Sequence, residues 1–124
     1  MTKPSRKKKA TQQQHKFRLK FVPPALEEWQ QLDGSVKEPL RKLLRKRLDN
    51  PRLPGSALHG PLHGCYKIKL GKQGYRLVYT VEDDALVVLV LAVDKREDSV
   101  VYRSALDRVR DGVAALVDRI KARR

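Results

Sequence analysis

The stretch that decides the fold covers residues 65–102 and reads CYKIKLGKQGYRLVYTVEDDALVVLVLAVDKREDSVVY. Runs of β-branched and aromatic residues, separated by turn-forming clusters, predict three consecutive strands here. These strands are expected over 65–70, 75–81 and 85–93. The third is apolar on both of its faces, which is typical of a central strand that is covered on both sides.

Three cations of this stretch are predicted to share one face of the sheet. If the first hairpin turns about residues 72–73, Lys69 lies directly opposite Arg76, and Lys67 lies opposite Val78. Two like charges ~5 Å apart repel by about 3 kcal/mol at an effective dielectric of ~20 before screening. A bound anion would explain the cluster, although a solvated face with splayed lysines explains it equally well. A shift of one residue would move Arg76 to the opposite face.

Upstream of the sheet, the pattern predicts a strand and then a helix. Apolar and basic residues alternate over 16–22, as they do in a half-buried strand. Pro23 and Pro24 end this strand and begin a helix, because proline is well tolerated in a first turn. Trp29 in that helix is expected to anchor the core rather than to stack on a base.

A second helix with a basic face is expected next. Ser35 and Glu38 form a capping-box pattern, Pro39 falls in the first turn, and Asn50 with Pro51 ends the helix. Its apolar stripe consists of Val36, Leu40, Leu43, Leu44 and Leu48. Its other face is predicted to consist of Arg41, Lys42, Arg45, Lys46 and Arg47. Such a face is usually only solvated, but its single sign favours an RNA or DNA partner.

The loop over 51–64 offers a nominal metal triplet in His59, His63 and Cys65. Glycines and a proline rule out helical spacing of the ligands, and no fourth ligand lies nearby, so zinc is not expected. Cys65 has no evident His or Asn partner and is expected to be a strand residue rather than a nucleophile. As the single cysteine, it excludes an internal disulfide and fits a reducing compartment.

The charge balance points to a polyanionic partner. The 124 residues fit one domain, and 28 Lys and Arg against 14 Asp and Glu give a formal charge of +14. Nucleic acid is favoured over acidic lipid. No apolar run approaches the ~20 residues of a membrane span and no secretory signal is present, so a cytoplasmic location is expected. Residues 1–15 carry five positive charges and are expected to form a disordered arm that adds phosphate contacts.

Downstream of the sheet, residues 100–102 lead into a helix that is predicted to continue to the C-terminus. The apolar positions with helical spacing are Leu106, Val109, Val113, Leu116, Val117 and Ile120. Gly112 is a weak point in this pattern. The helix either packs on the domain or offers a surface to a partner helix or a second copy of the chain.

Taken in order, these segments resemble the RelE toxins of the RelE/ParE superfamily. The strings that carry the resemblance are FRLKF, PPALEEW, RLDNP, CYKIKL, GYRLVY, KRE and VY, between about Lys16 and Leu106. The resemblance implies an α+β fold in the order β-α-α-β-β-β-α, with a small, mainly antiparallel sheet against two N-terminal helices. It divides the chain into a basic arm over 1–15, a toxin domain over 16–106 and a helical extension over 107–124.

The resemblance also implies an activity. Toxins of this family belong to type II toxin–antitoxin pairs and cut mRNA in the ribosomal A site. The ribose 2′-hydroxyl attacks the adjacent phosphate without a metal or other cofactor. The family's catalytic set falls on Lys67, Lys69, Arg76, Arg96 and Tyr102. Tyr102 and Lys69 are the candidate bases, and Arg96 would steady or protonate the leaving oxygen.

Further RNA contacts are expected from Arg41, Lys42, Arg45, Lys46, Arg47, Lys72 and Lys95. The expected partners are a cognate antitoxin that masks the basic face, the ribosome and its mRNA. Outside this ordered set, Tyr102 would be interpreted as a core aromatic and Arg96 as a member of a salt bridge.

Three positions depart from the family pattern and leave other functions open. Asp94 replaces a frequent glycine, Asp98 stands where some relatives carry a basic residue, and Gly71 takes a position that can be basic. Asp94 and Asp98 are expected to pair with Arg96 and weaken its hold on phosphate. The alternatives are a ParE-like inhibitor of DNA gyrase and a non-catalytic basic module that binds RNA or DNA.

Overall fold

The computed structural model of the protein describes residues 16–95, 98–110 and 113–122. Its elements are β1 (Arg18–Phe21), α1 (Pro23–Gln30), α2 (Gly34–Arg47), β2 (Cys65–Leu70), β3 (Tyr75–Glu82), β4 (Val87–Asp94), α3 (Asp98–Arg110) and α4 (Val113–Ala122). The predicted α+β order is confirmed. The prediction of a single C-terminal helix after residues 100–102 was wrong in two respects. Helix α3 begins at Asp98 and already contains residues 100–102, and α4 is a separate helix. The predicted arm over 1–15 lies outside the described residues.

The strands form one sheet in the spatial order β1-β4-β3-β2. β2, β3 and β4 pair antiparallel, and β1 joins β4 in parallel. β4 is therefore central, and its residues from 87 to 93 are all buried, as predicted. It begins at Val87 rather than at residue 85 because residues 83–86 form a turn. Leu86 adopts a φ of 54° in that turn, a conformation incompatible with a strand.

Helices α1 and α2 cover one face of the sheet. Trp29 of α1 is only 9% exposed, and its ring lies 5.4 Å from that of Phe21, so its predicted role as a core anchor is confirmed. The apolar stripe of α2 is likewise directed at the core, with Leu40 fully buried. None of the helices in the described ranges is long and apolar enough to span a membrane.

The start of α2 differs from the predicted capping box. Asp33 is the N-cap, and its carboxylate accepts a hydrogen bond from the backbone N–H of Ser35 at 3.0 Å. A hydrogen bond from the Ser35 hydroxyl, together with this backbone bond, lowers the pKa of Asp33. Pro39 therefore lies inside the helix, where it cannot donate to the carbonyl of Ser35. The Gln73 side-chain amide donates to that carbonyl at 3.0 Å and so ties the β2–β3 turn to α2.

Helices α3 and α4 cover only part of the other face. Val109 and Val117 line a groove of about 350 Å³ together with Cys65, Thr80 and Glu82. The covered end of this face is therefore the one where β2 begins and β3 ends. The opposite end, which includes Lys69 and Arg76, lies outside the lining of the groove.

A partly buried ion pair joins α3 to α1 along the edge of β4. β1 extends along β4 only to Val90, so Leu91 and Val93 continue beyond it. The Arg108 guanidinium donates to Leu91 O at 2.8 Å and to both carboxylate oxygens of Glu28 at 2.9 Å, and Glu28 accepts from Val93 N at 3.1 Å. These four groups satisfy one another where strand pairing ends.

Candidate active site

A row of charged residues crosses three strands at the open end of the sheet. Lys69 of β2 is paired with Arg76 of β3, and Arg76 is paired with Asp94 of β4. Lys67 is paired with Val78, so the hairpin register expected from the sequence is confirmed. Directly paired residues project from the same face with Cβ atoms ~4.5–5.5 Å apart. Lys67, Lys69 and Arg76 therefore lie on one face, with the carboxylate of Asp94 beside Arg76. These four residues form the charged row.

The side chains of the row differ in how far they are exposed. Lys69 is exposed, whereas Lys67 and Arg76 are half-buried. Arg76 Nη1 donates to the carbonyl of Tyr75 at 3.2 Å, which holds the guanidinium along its own strand. A phosphate approaching this face would meet one exposed ammonium group, one partly buried ammonium group and one oriented guanidinium. Charge-assisted hydrogen bonds to phosphate are the strongest that such groups form.

The carboxylate of Asp94 is a neighbour of Arg76 that the sequence did not predict. The sheet places Asp94 directly across from Arg76. The expected pairing of Asp94 with Arg96 stays a prediction, because Arg96 lies outside the described residues. Asp94 Oδ1 also accepts a hydrogen bond from the backbone N–H of Lys95 at 2.7 Å. An anionic neighbour reduces the positive potential that Arg76 offers to a phosphate.

Tyr102 lies in the second turn of α3, the helix that packs on the same face of the sheet. Its ring is half-buried and packs against the core, and its hydroxyl oxygen has almost no exposed surface. Arg96, the remaining member of the expected catalytic set, lies outside the described residues. Its expected pairing with Asp98 lies outside them too, because the side chain of Asp98 is not described.

Comparisons with known proteins show the family of the chain. Residues 19–100 match the family model of the ParE toxin of type II toxin–antitoxin systems, parDE. The chain is 47% identical over 91 residues to the mRNA interferase toxin RelE of Escherichia coli, which covers 73% of this chain and 95% of that protein. The chain belongs to the RelE/ParE toxin family.

Solved structures of RelE resemble this RelE-type toxin along nearly their whole length. The isolated E. coli RelE toxin superposes with a TM-score of 0.63 at 45% identity and covers 75% of this chain and 98% of its own. RelE in the intact E. coli RelBE toxin–antitoxin complex gives 0.62 at 46% identity and covers 65% and 98%. About a quarter of this toxin therefore has no counterpart in isolated RelE.

The basic face of α2 is less uniform than the helical pattern of the toxin indicates. Lys42, Arg45 and Lys46 are exposed and line a shallow depression with Asp49. Arg41 forms an ion pair with Glu38, and its guanidinium lies 5.9 Å from the centre of the Trp29 ring. The expected RNA contacts outside the helix, Lys72 and Lys95, are both exposed.

Arg47 was wrongly assigned to the exposed face of α2. It turns inward and donates to Tyr79 Oη at 2.9 Å, to Lys67 O at 3.2 Å and to Ser56 Oγ at 3.2 Å. Tyr79 Oη donates in turn to Pro51 O at 2.6 Å. Burial raises the pKa of Tyr79, so its hydroxyl stays neutral and serves as a structural link. Arg47 thus fixes β2, whose lysines belong to the row, rather than presenting a charge to solvent.

The candidate metal ligands of the sequence do not converge. His59 and His63 are exposed, and Cys65 is buried, which raises the pKa of its thiol. Within the described ranges, no group of three or more His, Cys, Asp and Glu side chains is arranged to hold a metal ion.

Proposed function

We propose that this chain is the toxin of a type II toxin–antitoxin system and acts as a ribosome-dependent mRNA endoribonuclease. The observation that carries the proposal is the pairing of Lys69 with Arg76 on the open end of the sheet, with Lys67 on the same face. Membership in the RelE/ParE family and 47% identity to an mRNA interferase toxin support it. Because its substrate is mRNA on the ribosome, the proposed site of action is the cytoplasm.

The proposed reaction is an internal transesterification followed by strand release. The 2′-oxygen of one ribose bonds to the adjacent phosphorus, and the bond from that phosphorus to the 5′-oxygen of the next nucleotide breaks. One proton leaves the 2′-hydroxyl for a base on the toxin, and another reaches the departing 5′-oxygen. The products are a 2′,3′-cyclic phosphate and a 5′-hydroxyl.

The cations of the row match the charge that develops in this reaction. Negative charge grows on the non-bridging phosphate oxygens as the fifth bond forms, and oriented donors stabilise it most. Arg76 is the oriented donor, and Lys67 and Lys69 add charge around it. We assign the proton transfers to Lys69, Tyr102 and Arg96 as a group, with Tyr102 also able to stack on a base that is splayed from the message.

The proposed partner is a cognate antitoxin that covers the basic surface. The formal charge of +14 motivates an acidic or amphipathic partner, and the RelBE complex shows that E. coli RelE forms a toxin–antitoxin assembly. Affinity purification of the tagged toxin from its native host at moderate salt is expected to recover a small co-encoded protein. Recovery of the toxin alone would contradict this partner.

The decisive experiment uses a reconstituted ribosome stalled on a defined mRNA with an empty A site. Purified toxin is added in a buffer that contains the Mg²⁺ needed to keep the ribosome assembled, and the RNA ends are mapped by primer extension. A cut within the A-site codon, absent without ribosomes, is the expected result. Arg76→Ala is expected to lose about 10²-fold or more in rate with only a modest loss of ribosome binding. Arg119→Ala, at an exposed position on α4, is the matched control and should cut normally.

The other outcomes of this experiment point to other functions. An intact message with the toxin still bound would favour a basic module that only grips phosphate. Such a module predicts graded losses for each cation and a steep salt dependence. An intact message without stable binding would lead to a gyrase assay, since the matching family model is that of the ParE toxin.

A further inference from the structure

The hairpin of β2 and β3 brings Lys69 and Arg76 to the closer of the two spacings found in antiparallel sheets. Cys65 O accepts a hydrogen bond at 2.9 Å from Leu58 N, in the loop on the outer side of β2, so this carbonyl is directed away from β3. Backbone groups alternate in direction along a strand, so those of Lys69 are directed away from β3 as well. Pairs of this kind have Cα atoms ~4.5 Å apart and hold their side chains closest together. Repulsion between Lys69 and Arg76 therefore acts to open the hairpin.

The two cations lie close to the end of the hairpin. Leu70 pairs with Tyr75 directly beyond them, and the turn over 71–74 then closes the hairpin. Within the turn, Gly74 N donates to Leu70 O at 2.9 Å. The end of a hairpin opens more readily than the middle of a sheet. A contact that holds the turn in place would therefore also hold Lys69 opposite Arg76.

Gln73 supplies such a contact from within the turn. Its side-chain amide donates to Ser35 O of α2 at 3.0 Å. This carbonyl can accept the bond because Pro39, four residues later in α2, has no N–H to donate to it. Helix α2 covers the face of the sheet opposite to the charged row. Gln73 therefore acts on the row through the backbone of the hairpin rather than by contact with RNA.

We infer that Gln73 is a positioning residue for the proposed reaction, because it ties the turn to α2 and so keeps Lys69 and Arg76 at a fixed spacing. This inference rests on the proposed function. Donors stabilise the charge of a transition state only while their geometry is held, and a small displacement lowers the rate more than it lowers binding. Loss of the tie should therefore lower kcat and leave KM nearly unchanged.

Gln73→Met tests the tie, because it removes the donor and keeps the length of the side chain. In the stalled-ribosome assay, kcat is expected to fall about tenfold while KM changes by less than about twofold. Gln30→Met makes the same exchange at an exposed position in α1 and should cut as wild type does. A kcat of Gln73→Met within about twofold of wild type would overturn the inference.

A second variant separates positioning from stability. Pro39→Ala supplies the missing N–H to Ser35 O and removes a proline from a helix interior, so it is expected to raise the melting temperature. Gln73→Met combined with Pro39→Ala should melt at or above the wild-type temperature and still cut about tenfold more slowly. If Gln73 only stabilised the fold, kcat would recover together with the melting temperature. Such a recovery would also overturn the inference.

Hydrogen exchange distinguishes failure of the tie from failure of the proposed function, because it needs neither ribosome nor RNA. The amide N–H of Leu70 is directed toward β3, since its backbone groups alternate with those of Lys69. In free toxin, this amide is expected to exchange about tenfold faster in Gln73→Met and at the wild-type rate in Gln30→Met. Faster exchange in a toxin that does not cut RNA would retain the tie and reject the nuclease. An unchanged exchange rate would reject the tie, whether or not the toxin cuts RNA.

Discussion

Asp94 is expected to weaken phosphate binding at the proposed site, because its strand partner is Arg76. Opposite charges ~5 Å apart attract by about 3 kcal/mol at an effective dielectric of ~20, and exposure to water and salt reduces this to about 1 kcal/mol. Asp94→Gly removes the carboxylate. The variant is expected to cut A-site mRNA with a kcat/KM about fivefold above wild type, measured in the stalled-ribosome assay.

The salt dependence of the same variant tests the electrostatic cause. The increase in kcat/KM of Asp94→Gly over wild type is expected to shrink as ionic strength rises, because salt screens the attraction between Asp94 and Arg76 in the wild type. Asp118→Asn removes an exposed carboxylate from α4, away from the row, and is the matched control. A rate equal to or below wild type for Asp94→Gly, with a normal melting temperature, would contradict the role given to Asp94.

The row illustrates which contacts a sequence can predict. Lys69 and Arg76 are joined by a short hairpin, so alternation and the turn position were enough to pair them. The pairing of Arg76 with Asp94 depends on more distant features. β4 begins two residues later than expected, and the register shifts by one residue between Val78 and Tyr79. No local pattern in the sequence marks either feature, so the position of Asp94 across from Arg76 was not predicted.

Arg47 of α2 is predicted to contribute to stability, and Arg45 of the same helix to ribosome binding. Arg47→Ala leaves Tyr79 Oη, Ser56 Oγ and Lys67 O without their donor, so the free energy of unfolding is expected to fall by about 2 kcal/mol. Arg45→Ala, at an exposed position, should change it by less than about 0.5 kcal/mol but weaken ribosome binding. Urea denaturation and binding titrations measure the two effects. Equal stability of the two variants would show that the Arg47 network contributes little.

The inward position of Arg47 had a signal in the sequence. It follows Leu40 by seven residues, Leu43 by four and Leu44 by three, so it lies on the apolar stripe of α2. An arginine in such a position keeps its stem in the core and needs an acceptor within reach. The acceptors come from β2, β3 and the loop before β2, which only the tertiary structure brings together.

The ion pair between Glu28 and Arg108 is expected to hold α3 against the sheet. Arg108→Ala removes the donors to Glu28 and to Leu91 O, in a region where both side chains are less than a third exposed. The free energy of unfolding should fall by about 1–3 kcal/mol, measured by urea denaturation. Because Tyr102 is carried by α3, the rate of cleavage should fall as well. A double-mutant cycle with Glu28→Gln isolates the coupling, and a coupling energy near zero would contradict a direct interaction.

The strands and first two helices of the domain were easier to predict from the sequence than the packing of the C-terminal helices. The strands and the first two helices carry clear periodicity, and the predicted topology matches the family. The C-terminal helices have the same periodicity, but nothing local indicates where they pack. Val117 of α4 is 5% exposed against the sheet, and Lys121 reaches Asp84 at 3.5 Å. Both contacts join residues that are distant in sequence, so they had to be observed.

The net charge of the toxin should set how its affinity for ribosomes depends on salt. Residues 1–15 contribute Lys3, Arg6, Lys7, Lys8 and Lys9 to the formal charge of +14. Each phosphate contact adds about 0.7 to the slope of log K against log salt on single-stranded RNA, so five such contacts would add up to about 3.5. Removing residues 1–15 should therefore flatten this slope over a salt range of roughly 50–200 mM. Replacing the five cations with glutamine keeps the length of the arm and should flatten it equally. If the glutamine variant has the wild-type slope while the deletion does not, residues 1–15 act through their backbone or their uncharged side chains. If both variants keep the wild-type slope, the remaining residues account for the salt dependence of ribosome binding.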